Sequence, residues 1–191
     1  MTQRRVYQCS CPYFVTFNVL DNEWIFQDSR KAELLYEIIL NAGKLKYHFV
    51  YQFCIMPDHV HILCQTKPPI PQSGFSNPRC GTDYSKNGIA DWKVRSAICI
   101  NDYMKNICDC GRAHKYHISD FIKSIRGTFS RKIHEGQIWH PRFYDKIIDN
   151  DDKLWATIDY ISNNPIKAGL PKKCRKYPYQ FKAHKLMNEL F

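Results

Sequence analysis

Two short stretches hold side chains whose types and spacing could do chemistry. In "MPDHVHIL", residues 56–63, His59 and His61 stand one residue apart. On a strand such neighbours point to the same face, about 7 Å apart along the chain. Two imidazoles side by side can ligate one metal ion if a third ligand comes from elsewhere. Two hydrogen-bonded histidines on a half-exposed strand would leave the same pattern. In "DYISNN", residues 159–164, Tyr160 and Asn164 are four apart. On a helix they share a face, and Lys153 and Thr157 fall in the same column. A phenol, with a free pKa of about 10, is a poor nucleophile at neutral pH. A metal bound beside it would make a phosphate more electrophilic and stabilise the leaving oxygen. Asn164 offers a carbonyl oxygen as third ligand, and Lys153 a cation to hold the phosphate or developing charge. A tyrosine on that face is also what an ordinary amphipathic helix carries, so the chemistry requires the two stretches to meet.

The elements that would position them can be read from periodicity. "PYFVTFNVL", residues 12–20, has strand composition and closes on the turn-like "DNE". A helix follows in "DSRKAELLYEIILNAG", with Asp28 or Ser29 as cap, a stripe of Leu34, Leu35, Ile38 and Ile39, and Gly43 as stop. Residues 45–55 and 59–65 read as two strands hairpinned through "PDH". Residues 67–90 are rich in Pro, Gly, Ser and Asn, and 67–116 reads as a loop-rich insertion with at most a short helix. In "HISDFIKSIRGTFSRKIHEG", Phe121, Ile122, Ile125, Phe129 and Ile133 form an apolar helical stripe. "IWHPRFYDKII" supplies a fourth strand up to Ile148. "DNDDKLWATIDYISNN" is a third helix with an acidic first turn and Pro165 as its stop. On it Leu154, Ile158 and Ile161 mark the core face, and Tyr160 and Asn164 lie roughly 120° round from that stripe. The order β-α-β-β-α-β-α is the α+β, ferredoxin-like split βαβ antiparallel sheet with an added C-terminal helix. Residues 1–171 read as one catalytic domain interrupted at about 67–116, and 172–191 as a basic aromatic tail.

Composition narrows the partner. The chain has 191 residues, enough for one ordinary core. Twenty-eight Lys and Arg against eighteen Asp and Glu give a formal charge of +10. Such an excess suits a polyanion, nucleic acid or an acidic membrane surface. No apolar run is long enough to span a bilayer, and the N-terminus does not read as a signal peptide. Nine cysteines cannot pair fully, which points to reduced thiols in a cytoplasmic protein.

"MPDHVHIL", "FIKSIRGTFSRKI", "IWHPRFYDKII" and "DYISNNPIKAGL", in that order, resemble the single-tyrosine HUH (IS200-like) transposases, and within them the REP-associated tyrosine transposases. The resemblance covers most of residues 6–66 and 117–171. It implies a ferredoxin-like domain that cuts single-stranded DNA beside a small hairpin and rejoins it by the reverse reaction. By the resemblance His59 and His61 are metal ligands, Asn164 the third ligand where some relatives have glutamine, and Tyr160 the nucleophile that forms a 5′-phosphotyrosine link. It implies Mg²⁺ or Mn²⁺, and two imidazoles favour Mn²⁺ by ligand softness. The insertion at 67–116 is longer than the family leads one to expect. The resemblance leaves monomer or homodimer open and tilts toward monomer.

DNA contacts are expected from Arg4 and Arg5, from Lys123, Arg126 and Arg131 off the stripe of the second helix, from His140 and Arg142, and from Lys172, Lys173 and Arg175 in the tail. There basic residues could hold phosphates while Tyr177, Tyr179 and Phe181 stack on bases. Cys99, Cys108, Cys110, His114 and His117 do not match a zinc spacing, and Cys54 and Cys64 read as small core residues. Tyr144 is a rival nucleophile, disfavoured because it has no partner four residues on. A histidine-triad hydrolase would need a third histidine at 63, where Leu63 stands. A catalytically idle hairpin-binding protein shares this composition and fold; the intact set of His59, His61, Tyr160 and Asn164 argues against it.

Overall fold

The computed structural model describes residues 11–66 and 117–188. Arg4, Arg5, the insertion and four of the five candidate zinc ligands lie outside them; His117 is exposed at the start of a helix. Strands β1 (Tyr13–Val19), β2 (His48–Ile55), β3 (His59–Thr66), β4 (Trp139–Ile147) and β5 (Gln180–Lys182) form one sheet in the order β4-β1-β3-β2-β5. Every pairing is antiparallel. Helices α1 (Ser29–Leu45), α2 (Ile118–Ile133), α3 (Asp151–Lys167) and α4 (His184–Asn188) complete it. This is the ferredoxin-like split βαβ arrangement with an added helix, as the periodicity predicts.

The sheet divides the interior in two. Alternate residues of β1 and β3, among them Val15, Phe17, Val60 and Ile62, meet Leu35 and Ile39 of α1 and Phe121, Ile125 and Phe129 of α2. On the other face Leu154, Ile158 and Ile161 of α3 pack on Tyr51, Cys54 and Leu63. This helix lies over β2 and β3. None of the described helices covers the outer part of the same face on β1 and β4, where Asn18, Arg142, Tyr144 and Lys146 are exposed.

Three local expectations are corrected. Gly43 does not stop α1, which runs two residues further. A Cβ there would lie 2.8 Å from Val50 Cγ2 and 3.4 Å from the His48 carbonyl oxygen, so this glycine serves the close approach of β2 to the helix. The reversal falls instead on Tyr47, with φ 53°. Gly43→Ala is therefore expected to lower stability by about 1 kcal/mol despite the better helix propensity of alanine. A urea midpoint at or above the wild-type value would contradict this.

Pro165 does not stop α3 either. It sits inside the last turn with its ring buried. The helix closes at Gly169, φ +66°, where Gly169 N–H donates to Ile166 O (3.0 Å) and Leu170 N–H to Pro165 O (2.8 Å). That is the Schellman closure, which needs a left-handed residue just past the end. At its start Asn150 accepts from the Lys153 amide (2.9 Å).

The basic aromatic stretch after residue 171 adds an unforeseen fifth strand. β5 pairs with β2, so that Phe53 lies opposite Phe181 and their rings stack at 5.2 Å. Tyr179 is buried, and Tyr177 meets Tyr36 while its hydroxyl donates to Glu33. Exposed strand edges need covering; the β5 pairing with Phe181 and the buried Tyr179 serve that here, while Tyr177 stays 51% exposed.

Candidate active site: a histidine pair beside a helix-borne tyrosine

His59 and His61 point to the same face of β3, as the period of two requires. Their Nε2 atoms stand 3.1 Å apart. Each ring is oriented through its other nitrogen. His59 Nδ1 is 2.6 Å from Asp58 Oδ1, and a carboxylate only accepts, so Nδ1 carries the hydrogen. His61 Nδ1 is 2.8 Å from Thr16 Oγ1. Its Nε2 accepts from Asn164 Nδ2 at 2.8 Å, which places the His61 hydrogen on Nδ1 too. In this arrangement the His61 Nε2 lone pair meets the Asn164 N–H while the His59 Nε2 lone pair points into the same space. With the amide turned so that its oxygen faces inward, both imidazole lone pairs are available to one cation. His61 is 4% exposed. Burial, with His59 as a smaller cause, holds its pKa down at about 3, so the ring is neutral and free to ligate.

These residues fit a divalent ion. Two nitrogens sharing an ion at about 2.1 Å lie near 3 Å apart when they subtend a right angle. The Asn164 amide, rotated by half a turn, offers Oδ1 at the place where Nδ2 now stands. Asp58 and Thr16 hold the two rings through their other nitrogens, the kind of contact that fixes ring orientation where imidazoles ligate a metal. Thr16→Val is expected to lower Mn²⁺ affinity by about 10- to 100-fold, read as free Mn²⁺ by electron paramagnetic resonance. An unchanged titration would mean that Thr16 does not orient the ring.

Tyr160 stands beside this pair, its ring 5.2 Å from that of His61 and edge-on to Phe14 at 5.7 Å. Phe14 in turn stacks on His61 at 5.4 Å. The tyrosine is 42% exposed, open to a substrate from solvent. The helix that carries it is held to the sheet by polar contacts as well as by its apolar stripe. The buried Gln52 amide donates to Ser162 Oγ (2.8 Å), and Gln180 of β5 donates to Ser162 O (3.2 Å). Ser162 lies between Tyr160 and Asn164, so both side chains are positioned by a residue anchored to β2 and β5.

The structure therefore brings together His59, His61, Asn164 and Tyr160. It does not bring Lys153 to them: that ammonium donates to Asp149 at 2.6 Å, two helical turns or about 10 Å from Tyr160. Lys123, Arg126 and Arg131 belong to α2, across the sheet from the histidines. Arg126 is engaged locally, donating to the His140 and Pro141 carbonyls, while Trp139 Nε1 donates to the Arg126 carbonyl (3.1 Å). Lys123, Arg126, Trp139 and Pro141 line an open groove of about 370 Å³. His140 and Arg142 are exposed on β4, and Lys172, Lys173 and Arg175 on a turn after α3. Asp58, Thr16, Gln52, Ser162 and Gln180 were not foreseen. Only Asp58 left a signal, its place next to His59; the others depend on strand pairing and helix docking.

A ferredoxin-like sheet with two converging imidazoles and a tyrosine on an added helix is the arrangement expected of the single-tyrosine transposases. Residues 7–77 match the family described as "Transposase IS200 like". More particularly, the chain is similar to the REP-associated tyrosine transposases. It is 25% identical over 127 residues to a protein of Haemophilus influenzae described as "Putative REP-associated tyrosine transposase", a stretch that is 66% of this chain and 54% of that one. The chain thus matches about half the length of this curated relative. A solved structure described as "Structure of the REP associates tyrosine transposase bound to a REP hairpin" superposes with a TM-score of 0.62 at 18% identity, over 100% of this chain and 88% of that one. At that identity the likeness establishes the shared fold. No described helix is long and apolar enough to cross a membrane.

Proposed function

We propose that the protein is a divalent-metal-dependent transposase that nicks and rejoins single-stranded DNA beside a hairpin. The observation that carries this is the pair of Nε2 atoms 3.1 Å apart with the Tyr160 ring 5.2 Å from that of His61 in the same chain. His59, His61 and Asn164 would hold Mg²⁺ or Mn²⁺. When bound there, the ion would polarise the scissile phosphate and offset charge on the leaving oxygen.

The protein's own groups set the rest. Tyr160 Oη attacks the phosphorus and loses its proton; the bond from phosphorus to the 3′ oxygen breaks, and that oxygen takes up a proton. The products are a 5′-phosphotyrosine link and a free 3′-OH. One diester replaces another, so the reverse attack by a 3′-OH reseals the strand without an external energy source. Phe14, packed against both His61 and Tyr160, restricts where the phenol swings. Because Tyr160 already lies against the histidines of its own chain, the reaction runs within one subunit, as a monomer would allow. The REP hairpin bound by the solved relative and the +10 charge of this chain support hairpin DNA as substrate. In this reading Arg4 and Arg5, the exposed His140, Arg142, Lys172 and Lys173, and Arg175, which also donates to the Leu170 carbonyl, meet its phosphates, while Lys153 would first have to leave Asp149.

The test is to incubate the protein with labelled hairpins from the DNA flanking its gene, with Mn²⁺ or Mg²⁺, and resolve products on a denaturing gel. A covalent protein–DNA adduct that disappears with chelator is expected. Tight hairpin binding without any adduct would instead favour a catalytically idle hairpin-binding protein.

A further inference from the structure

We propose that Tyr144 is a stacking platform for an unpaired nucleobase near the attacked phosphate, with Arg142 and Lys146 holding the phosphates to either side. This subsite rests on the single-strand-DNA reading above. Thr16 of β1 lies directly opposite both His61 of β3 and Tyr144 of β4. Residues opposite one another share a face, so Tyr144, Thr16 and His61 form one row across the sheet. With strands about 4.8 Å apart, Tyr144 stands about 10 Å from His61. Its ring meets the edge of Phe14 at 6.4 Å, and Phe14 touches both His61 and Tyr160. An unbroken aromatic surface therefore runs from the candidate nucleophile to the outer strand.

That surface is open. Tyr144 is 57% exposed; among the described helices α3 sits mainly over β2 and β3 and reaches β1 through the contact of Tyr160 with Phe14. A tyrosine so exposed on an edge strand leaves a large apolar ring in water and does little for the core. Arg142 and Lys146 lie two residues before and after it, on the same face and about 7 Å away along the strand; both are exposed. Lys146 also lies near Asp149. The residues of β1 and β4 on this face, the half-buried Phe14 and Thr16 and the exposed Asn18, Arg142, Tyr144 and Lys146, include no carboxylate. Cations flanking an aromatic ring match a single-stranded polyanion with exposed bases, and stacking of that kind tolerates any sequence. An acidic peptide would use the cations and leave the ring idle.

The probe is fluorescein-labelled oligothymidylate of about twelve nucleotides, added to the whole protein and followed by anisotropy. Tyr144→Ala is expected to weaken binding about tenfold, and Tyr144→Phe to stay within about twofold because the ring remains. Arg142→Ala should flatten the dependence of log affinity on log salt by roughly 0.7. The proposal is overturned if wild type does not bind the oligomer, if Tyr144→Ala binds like wild type, or if Tyr144→Phe is as weak as Tyr144→Ala. The cleavage reading is judged separately by the hairpin adduct. Tyr144-dependent binding without any adduct would sink that reading and leave the subsite. An adduct with no effect of Tyr144→Ala on binding would do the reverse.

Discussion

Tyr160→Phe is expected to lower the covalent adduct by more than about a thousandfold while leaving hairpin affinity nearly unchanged. The substitution removes one oxygen, the atom that would bond to phosphorus, and a missing nucleophile costs more than a misplaced one. The ring contacts with Phe14 and His61 survive in phenylalanine, and the side chain is partly exposed, so the fold should not change. Denaturing gels for the adduct and anisotropy for the hairpin separate the two effects. If the adduct persists, the nucleophile is another residue. Tyr144 would be tested next, although its ring reaches the histidine pair only through Phe14.

The second large effect is expected at the histidines, and the two should differ. His61→Ala removes a buried ring that stacks on Phe14 and bonds to Thr16 and Asn164. It should abolish the Mn²⁺-dependent adduct, by at least about a hundredfold, and also destabilise the protein by about 2 kcal/mol through the cavity and the polar groups left unpaired. His59→Ala should reduce the adduct as strongly with little loss of stability, since that side chain is 23% exposed and its partner Asp58 faces solvent in part. Urea unfolding beside the adduct assay checks both. Equal stability losses would mean that His59 is also structural. Undiminished adduct in either variant would remove the histidine pair from the chemistry.

What could be read from the residues alone was whatever repeats along one element. The period of two placed His59 and His61 on one face. The period of 3.6 put Tyr160 and Asn164 together, away from Leu154, Ile158 and Ile161. The element order then led to the split βαβ sheet. Each of these follows from the local geometry of a strand or helix, which sequence spacing reports directly. Punctuation was less legible. Gly43 looked like a stop because glycine often ends helices, yet here it admits Val50. Pro165 looked like a stop because it lacks an N–H, yet a buried ring and the closure at Gly169 carry the helix past it.

Contacts between distant segments decided the rest. That His61 leans on Thr16 depends on which strands pair and in which register. That Ser162 is tied to Gln52 and Gln180 depends on a fifth strand formed by a stretch whose composition suggested a tail. Lys153, in the right column of the helix, was taken out of the site by an acid one turn away. Spacing says which side chains share a face; only the packed sheet and helix determine what that face meets, and therefore which lone pairs converge, which cations are engaged and which ring is left open to solvent.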